Sequence, residues 1–450
     1  MTRDDASGRD LGSPEGFATP PDETIDPALL RLGARLAAGG VRWAVLRGAI
    51  DRPTEGDLDL VVHPADMAAF RGIARTVGFP RLPAWGHGHH RFHLGRGIGG
   101  WWRLDLVDAV RFAGGVRLEP SVVNEILARR SAGPVPRLHP DDAAAALTLH
   151  LLLDREERSA ADRARLAGAA GAVQAAGAVH AAGEGPLAAT LAGALPEGWS
   201  PGRLVAALRD DDPGVGAIRG HVRLALRRQF PEARGAAALR RLSDLAGARL
   251  RKPLTAIRRV GPSVALMGPD GAGKSALIGS LIDAFPLPVR TAYLGLYPVG
   301  GARTRGPKGL GFLQRIFTLW RRYLIARGHR WRGRLVVFDR HPLDARLPAR
   351  GAMRRSDRLR RWILGHALPT PDLVLVLDAP GHVLHARKAE YPAEVLEVER
   401  QRYRELADRV GRAELVDATR SPDDVLHDAV ERIWRVWATR LDPAPDPRQR

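Results

Sequence analysis

Cysteine is absent from the 450 residues, and lysine occurs only at Lys252, Lys274, Lys308 and Lys388. The first absence excludes disulfides, thiolate metal sites and cysteine nucleophiles, and it fits a reducing cytoplasm. The second means that nearly all of the 69 basic residues are arginine. Long apolar runs are also missing. No stretch approaches the roughly 18 consecutive apolar residues that span a bilayer. The opening MTRDDASGRDLGSPEG is polar and holds no apolar signal-peptide core. A cytoplasmic protein without a transmembrane segment is expected.

A formal charge of +19 suggests a polyanion as partner. The skew toward arginine, with abundant alanine and glycine, reads equally as compositional bias, so nucleic acid is not an expected partner. An arginine-rich solvated surface, directed in part at nucleotide phosphates, accounts for the charge. Hydrophobic residues at 45% suffice for packed cores, and a chain of 450 residues exceeds what one core serves, so two or three domains are expected.

Residues 1–25 are rich in glycine, proline and aspartate and read as a disordered tail. From 26 to 120 the pattern is α+β. DPALLRLGARLAAGG is helical, VRWAVLRG and DLDLVV are strands, PADMAAFRGIARTVGF is a helix, and HHRFHLG and WWRLDLVDAV are further strands. Residues 121–260 are rich in Ala, Leu and Arg with Pro/Gly breaks, a helical segment in which no chemistry is evident. From 261 to 440 apolar strands alternate with helices: SVALMG, RLVVFDR, DLVLVLDA and AELVDA are strands, and KSALIGSLIDAF and SPDDVLHDAVERIWRVWATRL are helices. That alternation specifies an α/β fold with a parallel sheet covered on both faces. Residues 441–450 form a tail.

The segment GPDGAGKSA supplies Gly268, Asp270, Gly271, Ala272, Gly273, Lys274, Ser275 and Ala276 between an apolar strand and an amphipathic helix, and satisfies G-x-x-x-x-G-K-S. Glycines let the backbone curl around a β-phosphate at a helix N-terminus. Lys274 is placed to reach the β/γ oxygens of ATP, and Ser275 to ligate Mg²⁺. Where nearly every other cation is arginine, a lysine here marks a need for a compact ammonium.

Over residues 262–438 the chain resembles thymidylate kinase and its P-loop nucleotide-kinase relatives. The resemblance rests on GPDGAGKSAL, on VVFDRHPLD, and on LVLVLDAPGHVLHARKAEYPAEVLEVERQRYRELA, which ends in R-x-x-Y-x-x-L-A at Arg400, Tyr403, Leu406 and Ala407. It implies that Asp270 faces the acceptor, that Asp339 is the acid near Mg²⁺, and that Arg340 binds the acceptor's phosphate. Arg387, Lys388 and Arg400 would come from a lid to neutralise the transferring phosphoryl group. It further implies ATP and Mg²⁺ as cofactors, with dTMP the default acceptor, while a homodimer stays open as the assembly. Where those kinases carry an REPGG-type segment, this chain has TAYLGLYPVGG, and its lid is short. Arg321, Arg322 and Tyr323 fall where an acceptor-base contact would lie. Another small-metabolite acceptor, a sugar or nucleotide intermediate, and a non-catalytic nucleotide-binding regulator stay open.

The stretch VLRGAIDRPTEGDLDLVV resembles the nucleotidyltransferase fold, in which a glycine turn precedes a strand bearing Asp-x-Asp. The resemblance implies Gly48 as the turn, with Asp57, Asp59 and Asp105 as the acids and Asp57 and Asp59 as Mg²⁺ ligands. Alternation along a strand puts Asp57 and Asp59 on one face and Leu58 and Leu60 on the other. Ala49 stands where that fold usually has serine, so a fold retained for binding is equally open. Arg47 either contacts a phosphate or pairs with one of the acids. His87, His89, His90 and His93 cluster in GHGHHRFH, either as a metal site with His89 and His93 on one face or as polar residues lining the cleft.

Overall fold

The computed structural model describes residues 25–442 apart from 52, 54–56, 83–90, 99, 114–115, 156, 176–184, 231–260, 296–309 and 350. Most of the two expected tails, together with His87, His89, His90, Lys252 and Lys308, lies outside the described residues. The chain divides into two compact units, Met1–Asp244 and Leu245–Arg450.

Unit 1 opens with α1 (Pro27–Ala38), which buries Leu29, Leu32 and Leu36 on one face. Asp26 caps it by accepting from the Ala28 amide (2.7 Å), and its other oxygen accepts from the Ile98 amide (2.8 Å). One buried carboxylate thus ties the helix start to a distant turn. The sheet comprises β1 (Trp43–Arg47), β2 (Leu58–Val62), β3 (Arg91–Gly97) and β4 (Gly100–Val107) in the order β1-β2-β4-β3. β2 and β4 are parallel, the outer pairs antiparallel. Leu58, Leu60, Leu104 and Leu106 face α1 and α2 (Met67–Thr76) in a core that includes Phe70.

The opposite sheet face is also covered. Ala44, Leu46 and Val61 share a core with α3 (Pro120–Ala128), α4 (Pro140–Leu153), α5 (Ala160–Ala175), α6 (Pro186–Ala194), α7 (Pro201–Arg209) and α8 (Val215–Gln229). A short hairpin, β5 (Arg111–Phe112) with β6 (Val116–Arg117), precedes these helices. Arginines on α8 serve the carbonyls that the end of α4 leaves without helical partners. Arg219 donates to the Leu152 and Arg155 carbonyls (2.7 Å each), and Arg223 to that of Leu153 (3.2 Å).

Unit 2 holds five parallel strands, β7 (Ser263–Met267), β8 (Val289–Tyr293), β9 (Leu335–Asp339), β10 (Leu373–Asp378) and β11 (Ala413–Asp417), in the order β11-β10-β7-β9-β8. This is the mixed α/β architecture with a parallel sheet that the strand and helix alternation specifies. β8 escapes that pattern: as an edge strand with Arg290 and Thr291 exposed, VRTAY carries no apolar run. The helices are α9 (Lys274–Ala284), α10 (Leu310–Trp331), α11 (Arg355–His366), α12 (Gly381–Arg387), α13 (Ala393–Arg409) and α14 (Pro422–Leu441). On one face Leu319, Tyr323, Leu364, Tyr403 and Leu406 pack on Phe338, Val374 and Val376. α9 and α14 pack together, with Phe285 stacked on Trp437. Ser421 caps α14 by accepting from the Asp424 amide (3.2 Å), and Pro422 takes its first position. At the N-terminal end of the sheet, Asp372 accepts from the Ser263 amide (2.9 Å), Arg330 (2.6 Å) and Arg440 (2.6 Å), holding β7, β10, α10 and α14 together. Among the described residues no helix is long and apolar enough to cross a membrane.

Because Leu60 is fully buried between β2 and the α1/α2 layer, Leu60→Ala should lower the stability of unit 1 by about 2–5 kcal/mol. Urea unfolding followed by tryptophan fluorescence measures this. A loss below about 1 kcal/mol would contradict the assignment of that strand face to the core.

Candidate functional site

The loop between β7 and α9 is built by three glycines with positive φ: Gly268 (137°), Gly271 (85°) and Gly273 (91°). At two of them the space is closed as well. A Cβ on Gly268 would lie 2.7 Å from the Leu377 carbonyl oxygen, and one on Gly271 the same distance from that of Leu384. The loop is therefore seated on β10 and α12, and only glycine permits both the turn and the approach. Lys274 opens α9 and is buried, its ammonium donating to the carbonyls of Gly268 (2.9 Å) and Pro269 (2.6 Å). Asp270 Oδ1 lies 3.8 Å away. Burial draws the Lys274 pKa down to about 8, the Arg340 guanidinium acts in the same sense, and Asp270 opposes both. Ser275 and Ala276 are exposed on the first turn, while Ala272 is buried.

The ends of the neighbouring strands complete the cleft. In a parallel sheet, ligands bind beyond the carboxyl ends of the strands. Asp339 ends β9, in register with Leu266 of β7 on one side and Tyr293 of β8 on the other. Arg340 follows with φ 63°, one of two non-glycine residues with positive φ among those described. Its Nη2 lies 2.5 Å from Asp270 Oδ1, closing a bridge over the loop. Beyond it, His341 is fully buried and driven down to about 3 by burial, so it is a neutral core side chain. Asp344 accepts from the Tyr403 hydroxyl (3.0 Å), and burial pushes its pKa up to about 6 against the pull of Arg340.

The residues expected in a lid divide. Arg387 and Lys388 are exposed at the end of α12, where Lys388 pairs with Glu390 (2.7 Å). Arg400 is instead committed to Asp378 at the end of β10 (2.7 Å) and to Glu397 (3.0 Å). Arg404 joins it on Asp378 (3.0 Å). Glu397 in turn accepts from the Gly381 amide (2.8 Å), locking α13 to the start of α12. Of the residues expected near an acceptor base, Tyr323 is in the core, Arg321 is exposed, and Arg322 donates to the Tyr293 carbonyl (3.1 Å).

In unit 1, Asp59 and Asp105 are direct neighbours across β2 and β4, on the sheet face that carries Val61 toward the helices. Burial raises the Asp59 pKa, Arg47 opposes that rise, and Asp105 reinforces it. Each acid of the Asp-x-Asp pair has an arginine. Arg47 Nη2 is 2.6 Å from Asp59, and Arg103 Nε is 3.0 Å from Asp57. Among the described residues no group of three or more acid or histidine side chains is placed to hold a metal. His93 is buried, bonded to the Phe79 carbonyl (2.8 Å) and packed edge-on against Phe70, as a core histidine.

Solved structures with similarity to this chain include deoxyadenosine kinase from M. mycoides with bound dATP (13% identity, covering 38% of this chain and 98% of that one, TM-score 0.28). The same enzyme with products dCMP and a flexible dCDP bound gives 16% identity, the same coverages and the same score. No family model matches the chain, and no curated protein matches it.

Asp344, Tyr403 and Asp378 were not singled out from the sequence as site residues, although all three sit inside the motif-bearing stretches. Spacing reveals local geometry, whereas their pairing joins positions 59 and 22 residues apart.

The depressed Lys274 pKa has a thermodynamic consequence. Its folded value of about 8 lies below the usual value near 10.5, so the unfolded chain binds more protons and stability rises between pH 8 and 10. Lys274→Met removes that titration and should stabilise unit 2 at pH 7 by about 1–3 kcal/mol. The advantage should vanish by pH 10. Urea unfolding of both proteins across this range is the measurement, and a variant less stable at pH 7 would show that the two carbonyl bonds outweigh the desolvation.

Proposed function

We propose that unit 2 is an ATP-dependent phosphotransferase of the nucleoside monophosphate kinase type. The observation that carries this reading is the desolvated Lys274 ammonium on a glycine loop, facing Arg340 and Asp270 at the end of the adjacent strand. A cradle that a Cβ would fill at Gly268 and Gly271, with a buried ammonium inside it, fits the β/γ-phosphates of ATP. Ser275 and Asp339 are the residues that would hold Mg²⁺, which supplies charge neutralisation when bound with the triphosphate. Lys274 trades its loop carbonyls for phosphate oxygens, and Arg340 releases Asp270 to take the acceptor's phosphate. Arg387, three residues beyond Leu384, and Lys388 are the exposed cations that close over the reaction. Arg400 orders the lid helix through Asp378 and reaches the phosphoryl group only by leaving it. Positioning and charge stabilisation of this kind are the main demands of phosphoryl transfer.

The acceptor is dTMP in the first instance. The segment TAYLGLYPVGG, in place of an REPGG-type segment, favours testing a sugar or other nucleotide intermediate beside it. In unit 1 the nucleotidyltransferase-like face of Asp57, Asp59 and Asp105 serves binding, since Arg47 and Arg103 occupy the two would-be metal ligands. The assembly is a homodimer through α10, whose outward Leu313, Phe317, Trp320, Leu324 and Trp331 recur at heptad spacing as an apolar seam.

ADP formation measured with each nucleoside monophosphate should show acceptor-dependent turnover, greatest with dTMP. Lys274→Ala should reduce it by at least about 100-fold, and Asp57→Ala with Asp59→Ala should leave it unchanged. ADP formation without any acceptor would indicate an ATPase or switch instead, and ATP binding without turnover a regulator. Sedimentation should give a dimer that Leu324→Glu converts to monomer, and a parent that sediments as a monomer at micromolar concentration would remove the dimer from this reading.

A further inference from the structure

We propose that the cavity between α11 and the end of α13 in unit 2 is a second nucleotide site, built for a nucleoside triphosphate. The inference stands apart from the kinase reading, because neither the glycine loop nor Asp339 nor Arg340 lines this cavity.

The cavity holds about 420 Å³, within the range of small-molecule sites. Leu347, Met353, Leu406 and Val410 give it an apolar lining, and Arg346, Arg358, Arg361 and Arg409 supply four cations. No aspartate or glutamate lines it. Arg409 pairs with Glu405 (3.2 Å). Among the described residues no carboxylate pairs with the other three arginines. Two of these are fixed. Arg361 donates from Nη2 to the Leu347 carbonyl (2.6 Å) and from Nε to that of Ala345 (3.2 Å). Arg346 donates from Nε to the Gly365 carbonyl (2.8 Å). A Cβ on residue 365 would lie 2.8 Å from Arg346 Cγ, so glycine there lets the arginine lie against α11. Burial lowers the Arg346 pKa, and no acid opposes that shift. The carbonyls orient both guanidinium groups without cancelling their charge, which leaves a preorganised seat for an anion.

Three cations without acids call for a group of several negative charges, which a triphosphate supplies. The rest of the lining calls for a flat apolar part on the same ligand. Arg358, Trp362 and His366 follow one another at four-residue spacing along α11, and all three are exposed. Trp362 is 62% exposed, and the His366 ring packs on it at 4.8 Å. His366 Nδ1 donates to the Trp362 carbonyl (2.7 Å), which fixes the ring pair. An indole beside guanidinium groups takes a base by stacking and its phosphates by charge-assisted hydrogen bonds. Inorganic phosphate would use the arginines alone and leave Trp362 and the apolar lining in water. With no carboxylate in the lining to hold a divalent cation, binding here needs no magnesium.

The experiment is calorimetry of ATP and of inorganic triphosphate on the full-length parent, Lys274→Ala, Arg358→Glu and Trp362→Ala, in magnesium and in EDTA. Arg358 and Trp362 are exposed, so their substitution leaves the core intact. In magnesium the parent should bind two ATP per chain. Lys274→Ala should keep one of them, and that one should persist in EDTA. Arg358→Glu should weaken the EDTA-resistant site by at least about tenfold, and Trp362→Ala by about tenfold. Inorganic triphosphate should bind that site about tenfold more weakly than ATP in the parent, and as well as ATP in Trp362→Ala. A single ATP per chain, lost with Lys274→Ala and unchanged by Arg358→Glu, overturns the proposal and leaves the kinase reading standing. A single ATP lost with Arg358→Glu and unchanged by Lys274→Ala upholds it and defeats the glycine loop as the ATP site. Equal binding of ATP and inorganic triphosphate in the parent would make the cavity an anion site and overturn the nucleotide assignment. A parent that binds no ATP overturns both.

Discussion

A lysine ammonium held out of water at the head of α9 is the constraint around which unit 2 is arranged. Keeping it charged requires oxygen acceptors on every open side, and the loop supplies them from the Gly268 and Pro269 carbonyls. Turning those carbonyls inward requires positive φ at Gly268 and Gly271, and both approach a neighbouring carbonyl so closely that no side chain would fit. The sheet order follows the same logic. β7 lies between β9 and β10, so Arg340 reaches Asp270 of the loop from just past β9, while the Leu377 carbonyl of β10 backs Gly268. Local strain, burial of charge and strand order thus converge on one place, and such convergence of costs marks a site rather than a core.

The formal charge of the chain finds much of its explanation inside the molecule. Arginines repeatedly serve backbone carbonyls that secondary structure leaves over. Arg219 and Arg223 finish α4, Arg361 donates to the Ala345 and Leu347 carbonyls, Arg402 to that of Pro348, and Arg330 to that of Gly261. The planar fork suits this task, since one side chain satisfies two acceptors in fixed geometry. Others are spent on dedicated ion pairs, as around Asp372. A high arginine count with few lysines is therefore weak grounds for a polyanionic partner.

What the sequence made legible was local. The glycine loop, the capping of α14 and the apolar strands of both sheets each declare themselves within about ten residues, because turn chemistry and periodicity act over that range. The illegible parts are set by distant neighbours. β8 is an edge strand whose outer face needs no apolar residue. His93 shares a strand with polar neighbours yet turns toward Phe70 and the Phe79 carbonyl, which only the packed sheet reveals. The resemblance implies a lid role for Arg400, but its partner Asp378 lies at the end of β10, a separate element. Asp57 precedes β2 and Asp59 lies within it, and the arginines that pair with them come from β4 and β1.

The two units show how the same residue types lead to different capacities. In unit 1 Asp59 and Asp57 each face one arginine in a direct ion pair, so drawing either acid toward a cation would leave a guanidinium without its carboxylate. In unit 2 Arg340 lies among Asp270, Asp344 and the hydroxyls of Tyr403 and Tyr293. Losing one acid to an incoming anion leaves it still compensated. The phosphoryl transfer proposed for unit 2 needs such exchange of partners at Arg340.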